Sequence, residues 1–451
     1  MNDEAVRRPS EFIRHLPKAE LHLHLEGAVE PATLVELRQR HGEKATLAET
    51  EALYRYTDFQ SFLMAFKAVS AHLRGPDDYE LATYRLMQQL KNENVLHAEV
   101  YVAVGVCLFR KQDFTAIFEG LERGRARGAR DFGVSLLWIF DATRHFGVEE
   151  AQRVFELAVQ YREHNVIGVG IGGDEVKAPP ELFRGVYEYA EEHGMRLTAH
   201  AGETGPPESI WGALNLHAER IGHGLSAAQD PDLIEELAYR QIPVEICITS
   251  NLRTGVCKTV TEHPVKNYFD QGVMVTLNTD DPALFGTSLT REYQLAQDTF
   301  GFTDEHLREL ARNSFEASFL PAEKKIELLG LFDAAAARRG SSRSPITDEN
   351  SEDYDCGDAG IDAGLVGGRA ATRLAVPSHC RGHFAGGDCV LRRALRLVGF
   401  EGSVRNRHGR SLAPQVSLDP GTVGRGATRA GCAGSRMGDE GRVHLGHADF
   451  R

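Results

Sequence analysis

Four short segments hold the residues best suited to chemistry. The first, Lys18-Ala-Glu-Leu-His22-Leu-His24-Leu-Glu26-Gly27, sets two histidines at i and i+2. Residues two apart on a strand share a face, so His22 and His24 point the same way if this segment is extended. Alone, such a pair is more often packing or surface. Three later segments change the balance: Leu197-Thr-Ala-His200-Ala-Gly-Glu203, Arg220-Ile-Gly-His223-Gly224 and Thr276-Leu-Asn-Thr-Asp280-Asp281-Pro282. In each, the polar groups follow an apolar run and precede a glycine, proline or turn, where a strand hands over to a loop. Three imidazoles and one carboxylate suit zinc, or less selectively iron or cobalt. Such an ion brings the pKa of its bound water near neutrality. A neighbouring carboxylic acid and a spare imidazole then serve for proton transfer.

Those segments need a frame that delivers them to one rim. Eight β-rich runs can be marked, at 20–25, 96–104, 134–140, 166–171, 196–200, 220–223, 243–249 and 273–278. Helix-length stretches such as 149–163, 180–193 and 231–241 lie between them. Strands alternating with helices imply parallel βαβ units. Eight such units over 16–331 fit a (β/α)₈ TIM barrel, whose strand ends form the active face. A helical insert, 31–92, follows the first strand. Its Phe59, Phe62, Leu63 and Phe66 are spaced as an apolar helix face, for core packing or for a lid over the mouth.

His-x-His-x-Glu-Gly, His-Ala-Gly-Glu, Arg-Ile-Gly-His-Gly and Thr-Asp-Asp-Pro, taken in that order, resemble the adenosine/adenine deaminase family of metal-dependent amidohydrolases. The resemblance implies a barrel with one catalytic Zn2+ per chain, held by His22, His24, His200 and Asp280. It implies that Glu203 protonates purine N1, that His223 orients the attacking hydroxide, and that Asp281 bonds that hydroxide or the N7 edge. Gly173, in Gly170-Ile-Gly-Gly173-Asp-Glu175, matches a glycine whose N–H meets purine N3. Glu26 falls where the family places an acidic ribose contact, so His24, Glu26, Gly173 and Asp281 would line the substrate. The implied reaction converts adenosine or 2′-deoxyadenosine to inosine or 2′-deoxyinosine plus ammonia. Adenine, or a modified adenosine such as 6-aminodeoxyfutalosine, is the alternative substrate. Two positions depart from the family's usual pattern: Glu26 stands where strict adenosine deaminases carry Asp, and Tyr101 stands where Arg is common.

Competing chemistries lack their parts. Gly168-Val-Gly-Ile-Gly-Gly173 does not have dinucleotide-loop spacing and runs into Asp174-Glu175, which would repel a pyrophosphate. His97-Ala-Glu99 and His217-Ala-Glu219 match half of a cytidine-deaminase signature, but Pro-Cys-x-x-Cys is missing. Only Glu175 offers itself near the fourth strand end to bridge a second metal. A non-enzymatic purine-binding protein would release no ammonia.

The 451 residues carry 51 basic and 65 acidic side chains, net −14, which argues against nucleic-acid partners. The N-terminal segment has no apolar core of a secretory signal, and no run of apolar residues suits a membrane span. Seven cysteines without tight spacing fit a reducing, cytoplasmic setting. Oligomeric state is not readable. The composition changes after residue 333: residues 334–451 hold 20 of the 45 glycines and no lysine. The expected organisation is a deaminase barrel, 1–333, and a low-complexity tail, 334–451, disordered and of a composition that out-of-frame reading could produce.

Overall fold

A computed structural model describes residues 8–56 and 59–340 of the chain. Its eight strands are β1 Lys18–His24, β2 Val95–Val102, β3 Ser135–Thr143, β4 Val166–Gly172, β5 Arg196–Ala201, β6 Arg220–His223, β7 Val244–Ile246 and β8 Val275–Leu277. They pair in parallel in the order of the sequence. Helices such as Phe114–Phe132, Val148–Tyr161, Arg184–Glu192 and Pro231–Arg240 alternate with them, giving the expected (β/α)₈ barrel. Among the described residues, no helix is long and apolar enough to cross a membrane.

The residues that will form the site also close the barrel. No regular ladder joins β8 to β1; a single bridge links Leu23 to Asp280. Asp280 N–H donates to His22 O at 3.0 Å, and His24 N–H donates to Asp280 O at 2.8 Å. Just below, Asn278 Oδ1 accepts from the N–H groups of Leu21 and His22 at 2.9 and 3.2 Å. Asp280 and His223 sit at φ 64° and 63°, a left-handed backbone unusual for residues with side chains. Such conformations persist where the surroundings over-determine them.

Glycines make room for the rings inside. A Cβ at Gly170 on β4 would lie 2.9 Å from Tyr101 Cε1, and one at Gly222 on β6 would lie 2.7 Å from His22 Cε1. The Gly-Val-Gly-Ile-Gly run is thus a barrel strand thinned on its inner face, not a phosphate loop. Beneath the site, the buried Arg220 guanidinium pairs with Glu99 and, at 2.6 Å, with Glu245. Its face lies 3.8 Å from the Phe319 ring centroid. Despite burial, the Arg220 charge holds the Glu99 carboxyl down at about 2. His97 and Glu99 belong to this base, 3.3 Å apart.

Several boundaries differ from those expected from the sequence. β7 ends at Ile246 instead of near 249, because a helix, Ile248–Arg253, begins two residues later. The apolar face of the insert helix Phe59–Ser70 is only partly covered. Phe62 is buried and stacks on Phe285 at 4.9 Å, whereas Leu63 is 47% exposed. The side chain of Phe59 lies outside the described residues. Helix Ala322–Gly340 runs through residue 333, and the rest of the expected tail, 341–451, lies outside the described residues.

Candidate active site and metal centre

The C-terminal ends of β1, β5 and β6 and the turn after β8 bring a group of possible metal ligands together, with His223 in it where His24 was expected. His22, His200, His223 and Asp280 each offer one atom, and these atoms all lie within 4.8 Å of one another. His24 falls outside that tight set but adjoins it. Its Nε2 is 3.2 Å from His200 Nε2 and 3.3 Å from Asp280 Oδ1. His22 Nε2 is 3.7 Å from the same Asp280 oxygen.

What lies behind each ring decides which nitrogen faces inward. His22 Nδ1–H donates to Glu245 Oε2 at 2.8 Å, and His200 Nδ1–H donates to Ile171 O at 3.1 Å. Each therefore presents a bare Nε2 lone pair. His22 Nε2 is fully buried and has no hydrogen-bond partner. Burial, followed by mutual repulsion, pushes the His22 and His200 imidazoles well below their ordinary range, and His24 down to about 3. Asp280 Oδ2 accepts from Ser250 Oγ–H at 2.7 Å, leaving Oδ1 toward the histidines. Neutral imidazoles converging on a carboxylate, one with an orphaned buried nitrogen, are a donor set that fits a divalent ion of the zinc type.

The remaining expected residues ring this cluster. Glu203 Oε1 is 3.9 Å from His223 Nε2. Burial, then the charge of Glu175, pushes the Glu203 carboxyl up to about 8. Burial, then Asp280, pushes Asp281 well above the usual carboxylate range, and its Oδ1 is buried without a partner. Asp281 lies against the turn after β1 so closely that a Cβ at Gly27 would fall 1.7 Å from Oδ1. Glu26 is buried, its carboxyl raised by burial to about 7; Oε1 accepts from Ala103 N–H at 3.1 Å and Oε2 has no partner. Gly173, at φ +99°, turns the chain after β4 beside His145.

Tyr101 is not at the mouth. Its ring stacks on His24 with centroids 5.0 Å apart and lies 5.0 Å from His22. Its hydroxyl meets Thr198 Oγ1 at 2.9 Å. It is therefore a floor under the histidines, and its departure from the family pattern concerns that floor.

The roles of several residues are not visible in the sequence. Glu175 is no bridging ligand. Its carboxylate accepts from the N–H groups of Gly202, Glu203 and Thr204 at 2.7, 2.9 and 2.9 Å, and from Ser209 Oγ–H at 2.5 Å. Asp141 lies two residues before the end of β3, with Oδ1 buried and unpartnered. The apolar run 134–140 stops one residue before it, although the strand continues to Thr143. Arg144 reaches across to the carbonyls of His200 and, at 3.1 Å, Ala178. Ser250 and Asn251 were hidden because 243–249 read as one strand.

A family model described as adenosine deaminase matches residues 17–335. An aminodeoxyfutalosine deaminase from Streptomyces avermitilis is 39% identical over 332 residues, 72% of this chain and 93% of that protein. An adenine deaminase from Streptomyces coelicolor is 38% identical over 337 residues, 74% of this chain and 99% of that protein. Among solved structures, an amidohydrolase from Burkholderia ambifaria with bound Zn superposes with a TM-score of 0.67 at 28% identity, covering 75% of this chain and 98% of that one.

Proposed function

This chain belongs to the adenosine deaminase family of the amidohydrolase superfamily, and from that premise we propose that it hydrolytically deaminates a 6-aminopurine with the help of one zinc ion. The observation that carries the reading is the facing pair: a converging set of neutral imidazoles and Asp280 on one side, and on the other the Glu203 carboxyl, held at about 8. His22, His24, His200 and Asp280 would hold the metal. When bound, the ion would supply an activated water at neutral pH.

The chain's own residues do the rest. Glu203, protonated at pH 7, donates its proton to purine N1, which draws electrons from C6 and prepares it for attack. His223 and Asp281 orient the attacking oxygen toward C6. The N–H of Gly173 meets the purine's N3 edge, and Glu26 lies toward the N9 side. Water adds at C6; one of its protons ends on the amino group, which leaves as ammonia, and the other returns Glu203 to its acid form, leaving a C6 carbonyl and a proton on N1.

Adenosine was the first substrate suggested by sequence. The relatives' names support adenine and aminodeoxyfutalosine at least as well, so the proposal covers the 6-aminopurine class. Ammonia release from adenosine, 2′-deoxyadenosine, adenine and 6-aminodeoxyfutalosine tests it. Release from at least one is expected; none from protein carrying a full complement of zinc would favour a purine-binding role instead.

A further inference from the structure

Five groups compete for one ion: His22, His24, His200, His223 and Asp280. A chain of hydrogen bonds behind His223 sets it apart. It starts at a main-chain group that can only donate, the N–H of Val265, which meets His263 Nδ1 at 3.2 Å. His263 Nδ1 is therefore an acceptor, and the neutral ring carries its proton on Nε2. Burial, then the neighbouring His223, pushes His263 down to about 4, which keeps it neutral at pH 7. That Nε2–H meets Asn251 Oδ1 at 3.1 Å. With its oxygen turned to His263, the Asn251 amide turns its Nδ2 hydrogens to His223 Nδ1, 3.0 Å away. An amide nitrogen only donates, so His223 Nδ1 is the bare nitrogen, and the proton of its ring sits on Nε2. His263, Asn251 and His223 are all buried, so water does not offer the chain an alternative.

This is the reverse of the arrangement at His22 and His200. Those rings give their Nδ1–H to Glu245 and Ile171 and keep a lone pair on Nε2 for a metal. His223 Nε2–H lies 3.9 Å from both Asp280 Oδ2 and Glu203 Oε1, so an oxygen atom held between them would receive its hydrogen bond.

We propose that Asn251 and His263 are positioning residues that hold His223 as its Nε2–H tautomer, which makes His223 a hydrogen-bond donor into the site and neither a metal ligand nor a proton acceptor. The proposal rests on the reading of the cluster as a metal site. It favours His24 over His223 as the remaining ligand. Ser250 and Asn251, adjacent on one helix, then serve the two sides of the centre: Ser250 fixes Asp280 and Asn251 fixes His223.

The test is the nitrogen NMR spectrum of the histidine rings in ¹⁵N-histidine-labelled, zinc-loaded protein, with His223 identified by the signals lost in His223→Gln. The expected wild-type pattern is a protonated Nε2 and a bare Nδ1. In Asn251→Asp the new carboxylate has no hydrogen to give, so the His223 proton moves to Nδ1 and the pattern inverts. Zinc should stay at one per chain while kcat falls about 10- to 100-fold with little change in KM. A wild-type His223 protonated on Nδ1, or with Nε2 bound to zinc, overturns the proposal. So does an Asn251→Asp protein with an unchanged tautomer. The wild-type spectrum decides even if that variant does not fold. Wild-type protein that takes up no zinc would instead overturn the metal-site reading, while the tautomer stays readable in the same spectrum.

Discussion

Glu203 has to be a carboxylic acid to protonate a ring nitrogen, and its surroundings keep it one. Burial comes first and the Glu175 charge second, and together they place the carboxyl at about 8. The folded-state pKa is raised, so the acid form is complete well below pH 8 and is lost as pH rises through 8. A pH–rate profile should therefore show kcat falling on an alkaline limb near pH 8; a flat profile to pH 10 would contradict the assignment. Glu203→Gln keeps the shape and removes the proton. It should retain zinc yet lose about 100- to 10,000-fold in kcat. Equal activity in that variant would remove Glu203 from the chemistry. At this scale the sequence was informative, because His22 and His24 share one strand face and three later segments add His200, His223 and Asp280 where strands hand over to loops.

Elements set the distances between those residues. The loop after β4 holds the loop after β5 through one carboxylate, that of Glu175, which three successive N–H groups and Ser209 surround. Glu175 stands two residues from Gly173, so a single clamp ties the glycine assigned to purine N3 to the acid assigned to N1. Glu175→Gln turns an amide NH₂ against N–H donors. It should lower kcat about 10- to 100-fold with zinc retained, the scale seen when supporting hydrogen bonds around catalytic groups are lost. Steady-state kinetics with metal analysis checks this, and kcat within twofold of wild type would show that the loop holds itself. The sequence could not reveal the clamp. Glu175 and Gly202 are 27 residues apart, and nothing local marks a carboxylate as one that accepts main-chain hydrogens. Asp141 and Asn251 were lost for a different reason. The strand and helix boundaries that expose them shift by one to three residues, and apolar pattern is weakest at element ends. The alternation of strands and helices, by contrast, spans the whole barrel and was legible throughout.

Across the whole molecule, the rim is a meeting of distant segments: β1 and the turn after β8 close the barrel through His22, His24 and Asp280 themselves. Metal binding and barrel closure should therefore reinforce each other. Zinc should raise the thermal midpoint of wild-type protein measurably, and an unchanged midpoint would separate site from fold. The family match ends at residue 335, and the two relatives named above are covered over 93% and 99% of their own length by 72% and 74% of this chain. A chain ending at 340 should then keep the fold, zinc and kcat; a large loss of any of the three would give residues 341–451 a role in the barrel. The most direct test of the central claim is turnover in ¹⁸O-enriched water, following ammonia and product mass together for each 6-aminopurine. Hydrolytic deamination predicts one ammonia and one ¹⁸O at C6 per product molecule, abolished when zinc is stripped and restored when it is returned. Product without the label, or no product from any 6-aminopurine by the zinc-loaded protein, would contradict it.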